Sequence, residues 1–136
     1  MFSIGQLSKR TGVKIPTIRY YEQMGLIDAP ERSEGNQRRY TKDGLGRLSF
    51  IRHSRDLGFS VEDIRGLLDL SQHPEKPCQD AHSIAAQHLK DVQTRIAKLR
   101  RLERELKRIT KCESDNVADC AVIETLADHG LCETEH

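Results

Sequence analysis

Cysteines are the residues of this sequence whose type and spacing could do chemistry, and there are four, at positions 78, 112, 120 and 132. A free cysteine can simply be a small buried side chain. Cys112 and Cys120, however, bracket a mostly polar and acidic segment, 113–119, which offers no apolar surroundings for two thiols. A loop of this length can fold its two ends onto one ion. Thiolates are soft ligands, so the pattern favours Cd(II), Pb(II), Zn(II) or Hg(II) over Mg(II) or Ca(II).

The third thiol of interest, Cys78, lies at the other end of a long predicted helix. Cys112 follows it by 34 positions, or about 50 Å along a helix that rises ~1.5 Å per residue. One chain therefore cannot bring both groups to one ion. Antiparallel pairing of two such helices places the start of one beside the end of the other. We expect Cys78 of one subunit to join Cys112 and Cys120 of its partner, with two equivalent sites per dimer.

Other candidate ligands have simpler explanations. His82 follows Cys78 by one helical turn, but an ordinary surface histidine explains it equally well. Cys132 and His136 lie in an acidic tail of a kind that is often disordered, where they could capture metal transiently. A structural zinc site would use Cys-x-x-Cys pairs, and the sequence has none. In a reducing compartment, free thiols are more natural than disulfides.

The long helix is predicted from apolar residues that recur at mostly three- and four-residue steps between Ile84 and Ile109. The predicted helix extends from about Gln79 to Lys111. Because its other faces are charged, it would be poorly buried alone, and an antiparallel coiled coil with a second copy would cover its apolar face. Glu103 interrupts the heptad pattern, so the seam should shift register there. The sequence therefore predicts a homodimer.

The first half of the chain contains the start and stop signals of a helix-turn-helix. Ser3 and Gln6 form a predicted capping box, Pro16 lies in the first turn of a second helix, and Gly25 closes that helix. Residues 26–40 suit a short hairpin, or wing, around a Ser-Glu-Gly-Asn turn.

Two further helices should complete this first domain. Apolar residues from Leu45 to Leu57 mark a third helix, and Ser60 opens a fourth. The predicted fold is mainly α, a winged helix-turn-helix followed by a dimerisation helix and a metal-binding loop. The expected domains are a DNA-binding domain at 1–70, a linker at 71–78, a dimerisation helix at 79–111, and a metal-binding loop with an acidic tail at 112–136.

Charge is distributed unevenly along the chain. Residues 1–55 hold 11 Lys or Arg against 5 Asp or Glu, whereas residues 112–136 hold seven Asp or Glu and no Lys or Arg. Arginine contacts phosphates and guanine edges, and tyrosine hydroxyls anchor phosphates. The mixture at the front suits double-stranded DNA, although a solvated charged surface with structural tyrosines would show the same composition. The basic and aromatic candidates are Arg19, Tyr20, Tyr21, Arg32, Arg38, Arg39, Arg52 and Arg55.

Several classes of protein are disfavoured. The sequence has no run of about 18 apolar residues and no secretory leader, so we expect a cytoplasmic protein without membrane contact. It has no glycine-rich phosphate loop or known catalytic motif, and 136 residues leave little room for an enclosed cleft. We therefore expect that it is not an enzyme.

The sequence resembles the mercury-resistance-regulator (MerR) family over nearly its whole length. The resemblance rests on Ile4-Gly5-Gln6-Leu7-Ser8, Thr17-Ile18-Arg19-Tyr20-Tyr21-Glu22, Gly25-Leu26, Arg32-Ser33, Asn36 and Arg38-Arg39-Tyr40. It implies a dimer on a pseudo-palindromic promoter with a long spacer, which the metal-bound form distorts so that RNA polymerase can engage both promoter elements. It also implies that Arg19, Tyr20, Tyr21 and Arg38 touch DNA and that Arg32 and Arg55 hold phosphates. Gln37 departs from the aromatic residue of many relatives.

The same resemblance narrows the choice of metal. A cysteine at position 78 accompanies divalent ions in the family, whereas copper(I) and silver(I) sensors have serine there. The paired cysteines plus histidine of zinc-responsive relatives are missing from the loop. This favours cadmium or lead, with zinc and mercury as further candidates. A copper(I)- or silver(I)-responsive regulator and a thiol-redox regulator of the same build are the alternatives.

Overall fold

The computed structural model describes residues 1–28, 31–32, 38–111, 113 and 116–131. Contacts divide the chain into two compact units, residues 1–84 and 85–136. In chain order, the helices and strands are α1 (Ile4–Thr11), α2 (Ile15–Gln23), β1 (Glu31–Arg32), β2 (Arg38–Arg39), α3 (Lys42–Asp56), α4 (Val61–Ser71), α5 (Gln79–Ile109) and α6 (Ala121–Ala127). The protein is mainly α-helical, as predicted.

The helix-turn-helix forms where the sequence predicts it. The Ser3 hydroxyl accepts a hydrogen bond from the Gln6 amide at 3.2 Å, and the Ser3 amide donates to Gln6 Oε1 at 2.8 Å. This capping box satisfies amides at the start of α1 that have no partner within the helix. Gly12 ends α1 with a φ of 75°, a left-handed conformation that a residue with a Cβ rarely adopts. Pro16 lies in the first turn of α2.

A two-stranded antiparallel sheet follows α2 at the position of the predicted wing. Glu31 pairs with Arg39, and Arg32 pairs with Arg38. The predicted turn at residues 33–36, like Gln37, lies outside the described residues. An isolated bridge joins Phe2 to Tyr40 through amide-to-carbonyl hydrogen bonds of 2.8 and 2.7 Å. The bridge ties the start of the chain to the residue that follows β2.

Helices α3 and α4 complete the hydrophobic core of the first unit. The Ser60 hydroxyl caps α4 by accepting a hydrogen bond from the Asp63 amide at 3.1 Å, as predicted. Helix α3 contacts both α1 and α4. Apolar side chains from all four helices and from the segments around the strands meet in one cluster. Its buried members are Leu7, Val13, Ile18, Tyr21, Leu26, Ile27, Tyr40, Leu48, Ile51, Ile64 and Leu68.

Helix α5 is continuous over 31 residues and ends two residues before the predicted Lys111. Its apolar side chains Leu89, Ile96, Leu99 and Leu106 remain 43–63% exposed in the single chain. Exposed leucine and isoleucine at helical spacing suit burial against another helix. The long helix therefore has the length and the apolar face of a coiled-coil strand. No described helix combines the length and apolarity needed to span a bilayer.

The segment after α5 contains more helix than the predicted loop and tail. A 3-10 turn at Val117–Asp119 precedes α6, and a second one at His129–Leu131 follows it. The Asn116 side chain caps the first turn by accepting a hydrogen bond from the Asp119 amide at 3.2 Å. Thr125 of α6 is only 7% exposed, so packing stabilises this short helix. A seven-residue helix has too little periodicity to stand out in the sequence.

Candidate functional site

Helix α2 presents part of the predicted DNA-contacting surface. Arg19 is exposed, and Tyr20 is 48% exposed. Tyr21 differs, because its side chain is only 7% exposed and belongs to the hydrophobic core. The two tyrosine rings lie 5.9 Å apart between centroids at a tilt of 54°. Arg19 and Tyr20 therefore carry most of the surface that this part of α2 offers to a ligand, and Tyr21 mainly anchors the helix.

Side chains from other elements hold α2 and the turn after it in place. The Tyr40 hydroxyl, just after β2, donates a hydrogen bond to Glu22 Oε1 on α2. Arg47 of α3 donates through Nε to the Leu26 carbonyl at 2.5 Å. Arg65 of α4 donates through Nη2 to the Met24 carbonyl at 2.7 Å. These contacts were not predicted from the sequence, since their partners are 18, 21 and 41 positions apart.

Arg52 has a structural contact that the charge pattern does not reveal. The sequence groups it with the basic side chains suited to DNA. In the structure its guanidinium donates to the Thr11 carbonyl and lies 3.9 Å from Asp56 Oδ2. It also lies against Gly12, where an added Cβ would collide with Arg52 Nη1. Arg52 therefore supports the turn of the helix-turn-helix.

The remaining predicted DNA contacts come from the strands and from α3. Arg32 and Arg38 are backbone partners in the two-stranded sheet, but their side chains lie outside the described residues. Arg55 is exposed near the end of α3, and its Nη1 donates to the Phe59 carbonyl at 2.9 Å. Because a carbonyl is neutral, this contact does not neutralise the positive charge of Arg55. Exposed positive charge at the end of α3 can interact with a phosphate.

Of the three predicted metal ligands, Cys78 lies in the first unit. Cys78 is an exposed free cysteine directly before α5. Its carbonyl accepts a hydrogen bond from the His82 amide at 2.9 Å, so the backbone of His82 already belongs to the helix. His82 is also exposed. Both roles considered for His82, a metal ligand and an ordinary surface histidine, stay predictions.

In the second unit, Cys120 is a partly buried free cysteine between the first 3-10 turn and α6. Its amide donates to the Val117 carbonyl at 3.2 Å, and its carbonyl accepts from the Glu124 amide at 3.0 Å. Hydrogen bonds to the 3-10 turn and to α6 therefore fix the backbone of Cys120. Cys112, Cys132 and His136 lie outside the described residues.

Within the described ranges, no three histidine, cysteine or acidic side chains are grouped so that they could hold a metal ion. Cys78 belongs to the first unit and Cys120 to the second. Their joint use as ligands therefore stays a prediction.

The sequence does not predict an ion pair at the end of α5, in the second unit. Arg108 donates to Glu105 Oε2 through Nε at 3.3 Å and through Nη2 at 3.0 Å. The same Nη2 donates to the Leu131 carbonyl at 2.8 Å. The spacing of Glu105 and Arg108 is typical of an ordinary helix pair. The carbonyl partner lies 23 positions away and leaves no signal in the sequence.

Two family models match the chain and together cover most of it. The model described as MerR HTH family regulatory protein matches residues 2–71. The model described as MerR, DNA binding matches residues 45–109. The first spans the helix-turn-helix, the strands and α3–α4, and the second extends to the end of α5.

Curated relatives match the chain over nearly its full length. The HTH-type transcriptional regulator ZntR of Escherichia coli K12 is 40% identical over 130 residues, covering 93% of this chain and 92% of its own. The mercuric resistance operon regulatory protein of Bacillus cereus is 39% identical over 127 residues, covering 92% and 96%. The crystal structure of PbrR691 from Ralstonia metallidurans CH34 in complex with lead(II) matches with a TM-score of 0.80 and 37% identity, covering 93% and 99%.

Proposed function

The chain belongs to the MerR family of metal-responsive transcriptional regulators, and we propose that it activates a promoter as a homodimer when a soft divalent metal ion binds to its cysteines. The genes it controls would then be metal-resistance genes. Because its proposed target is promoter DNA, the protein would act in the cytoplasm. As the family resemblance implies, RNA polymerase would be the partner that engages the promoter.

The observation that carries this proposal is the position of the thiols relative to α5. Cys78 directly precedes this unbroken helix, and Cys112 follows its last residue, Ile109, by three positions. Leu89, Ile96, Leu99 and Leu106 of α5 are exposed in the single chain and need a partner helix. If that partner is a second copy in antiparallel orientation, each Cys78 comes beside the other chain's Cys112. The dimer then builds two thiol-rich sites that one chain cannot build.

We infer that the ligands of each site are Cys78 from one subunit and Cys112 with Cys120 from the other. Three thiolates form a soft, electron-rich site that suits a large polarisable cation. Cys120 supports this assignment, because its backbone is held between two short helical elements in a partly exposed position. Ligands fixed in this way lose less entropy on binding than ligands on a free chain.

Cadmium and lead are the proposed physiological ions, with zinc and mercury as further candidates. The relatives include a protein seen with lead(II) and a mercuric resistance regulator, so regulators of this build accommodate soft divalent ions. Zinc prefers four ligands in a closed site. Three thiolates without a further histidine in the loop suit lead or cadmium better.

On the DNA side, we propose that Arg19 and Tyr20 contact DNA from α2, together with the remaining exposed edge of Tyr21. Arg38 would contact DNA from the wing, and Arg32 and Arg55 would hold phosphates. Support comes from the exposure of Arg19, Tyr20 and Arg55. The contacts from Tyr40, α3 and α4 that hold α2 and the turn after it would keep this surface rigid. Rigid presentation lowers the entropy lost when a helix enters the major groove.

A metal titration of the reduced, full-length dimer tests the proposal. Cd(II), Pb(II), Zn(II) and Hg(II) are each added in competition with chelators, and thiolate-to-metal charge-transfer absorption reports binding. We expect two ions per dimer and a thiolate-rich spectrum for Cd(II) and Pb(II). Tight binding of Cu(I) or Ag(I) with weak binding of every divalent ion would contradict the proposal and favour a monovalent-metal sensor. Disulfide formation by oxidants at the same cysteines, with no metal binding, would favour a redox sensor.

A further inference from the structure

The ion pair at the end of α5 has an unusual setting for two neighbours on a helix. Glu105 is buried, with only 8% of its side chain exposed, whereas the Arg108 side chain is 32% exposed. For comparison, the exposed pair Lys107–Glu103 on the same helix has a separation of 3.8 Å and side chains that are 71% and 65% exposed. An exposed pair of that kind contributes little to stability. A carboxylate that is buried, by contrast, needs its partner, because an unpaired charge away from water is costly.

The buried carboxylate fixes the direction of the arginine. Two guanidinium nitrogens of Arg108 donate to Glu105 Oε2, so the planar group is held in one orientation. In that orientation Nη2 reaches the Leu131 carbonyl at 2.8 Å. The pair therefore works as a clamp, the Glu105–Arg108 clamp, between the last turn of α5 and the second 3-10 turn.

The clamp closes a segment of chain that contains two of the proposed metal ligands. Arg108 precedes Cys112, and Leu131 follows Cys120, so both thiols lie between the two clamped positions. A contact that joins two distant positions of a chain reduces the conformational freedom of the residues between them. A thiol such as Cys120, whose backbone is already held before the ion binds, loses less conformational entropy on binding.

We propose that Arg108, oriented by Glu105, is a positioning residue of the metal site that pre-orders the described residues around Cys120, 116–131. This inference rests on the proposed function, since it assigns the clamp to the same thiol site. Arg108 does not touch the ion; it acts through the Leu131 carbonyl and the closed segment. Its loss should weaken metal binding without changing which atoms bind the metal.

The test compares Cd(II) binding to four full-length dimeric proteins. Arg108→Gln removes the charge and the forked donors, and Arg108→Lys keeps a charge and one nitrogen. Arg104→Gln is the matched control, because Arg104 is an exposed arginine on the same helix whose side chain makes no hydrogen bond or ion pair with the other described residues. We expect Arg108→Gln to weaken Cd(II) affinity roughly tenfold, as loss of a ligand-orienting contact commonly does. Arg108→Lys should fall between Arg108→Gln and wild type, and Arg104→Gln should match wild type.

Two further readouts separate positioning from general damage to the fold. The charge-transfer band should keep its wavelength in Arg108→Gln, because the thiolate ligands are unchanged. Amide hydrogen exchange should accelerate between residues 117 and 131 in the metal-free variant, while helix content and operator binding stay at wild-type levels. If Arg108→Gln does not fold, the comparison of Arg108→Lys with wild type decides the question by the same measurements.

Each outcome has a separate meaning. If wild type binds Cd(II) tightly and both Arg108 variants bind it equally well, the clamp is not a positioning device and this inference is wrong. If wild type itself binds no soft divalent ion tightly, the proposed function fails first. A shifted charge-transfer band in Arg108→Gln would also overturn the inference, since it would mean that the ligand set depends on Arg108.

Discussion

The Tyr40 hydroxyl donates a hydrogen bond to Glu22 Oε1 and so joins the end of the wing strand β2 to helix α2. Tyr40 is only 3% exposed, and its backbone is bridged to Phe2. The start of the chain, the wing and the helix that carries Arg19 and Tyr20 therefore meet at one tyrosine. The buried Tyr40 side chain therefore couples the position of β2 to that of α2.

We predict that Tyr40→Phe lowers the free energy of unfolding by about 1–2 kcal/mol, because a partly buried carboxylate loses a hydrogen bond. Urea unfolding followed by circular dichroism measures the change. Tyr20→Phe is the control, since Tyr20 is 48% exposed and should leave stability unchanged. Glu22→Gln closes a double-mutant cycle with Tyr40→Phe. Strictly additive effects in that cycle would show that the two side chains do not stabilise one another.

Two glycines give opposite predictions for the same substitution. Gly12→Ala should destabilise the first unit by about 1–3 kcal/mol, because alanine at φ 75° is strained and its Cβ would collide with the Arg52 guanidinium. Gly46→Ala should stabilise it by about 0.5–1 kcal/mol, since Gly46 lies inside α3 and a Cβ there meets nothing within 4 Å. Thermal unfolding of both variants measures the difference. Equal effects of the two substitutions would contradict the left-handed turn at Gly12.

Local signals in the sequence predicted the helices well, whereas contacts between distant residues were out of reach. Ser3, Ser60 and Pro16 mark helix starts through interactions with residues three positions away or less, and all three appear where predicted. The sequence places Tyr21 with Arg19 and Tyr20 as a DNA contact, because adjacent residues in a short helix do not show which side packs inward.

In the second unit, too, local patterns could be predicted and contacts between distant residues could not. Periodicity over 31 residues is sufficient to predict α5, but seven residues are too few for α6. The contact from Arg108 to Leu131 depends on how the chain returns to the end of α5. Nothing in the local pattern around either residue encodes that return. The metal ligands could be proposed from thiol chemistry and helix length, since those arguments need no side-chain contact.

Substitution of the proposed metal ligands should separate sensing from DNA binding. We predict that Cys78→Ser, Cys112→Ser and Cys120→Ser each abolish metal-induced transcription and leave operator binding largely intact. A thiolate is replaced by a hydroxyl that binds soft ions poorly. Cys132→Ser is the matched control and should have a milder effect. A reporter assay with Cd(II) and a gel-shift assay without metal measure the two properties. Loss of operator binding by the metal-free ligand variants would contradict this separation.

Sharing of ligands between subunits predicts the behaviour of a mixed dimer. A Cys78→Ser subunit combined with a Cys112→Ser/Cys120→Ser subunit should contain one complete site and one site with no thiolate. We expect the purified heterodimer to bind one Cd(II) ion with a wild-type charge-transfer spectrum, while each parental homodimer binds weakly. The stoichiometry is measured by titration of differently tagged, co-expressed subunits. If the heterodimer binds as poorly as its parents, the site is not shared in the proposed way.

The last prediction concerns how metal binding reaches the DNA. A ligand shifts a conformational equilibrium only by its different affinity for the two states, so the metal must favour one placement of the two DNA-binding domains. Because both subunits would hold the same duplex, a change in their placement bends or untwists the DNA between the half-sites, at a cost of a few kcal/mol. We therefore expect metal-free and metal-bound protein to bind the operator with affinities within about tenfold, a coupling of roughly 1.4 kcal/mol or less.

Footprinting of the operator measures this distortion directly. Only the metal-bound protein should change the cleavage pattern at the centre of the site, whereas protection of the two half-sites should persist with and without Cd(II). The Cys120→Ser protein is the matched control, because it should protect the half-sites and leave the centre unchanged at every Cd(II) concentration. Release of the wild-type protein by Cd(II), without central distortion, would instead indicate a simple derepressor. In that case the metal would act by lowering operator affinity, and activation through DNA distortion would be wrong.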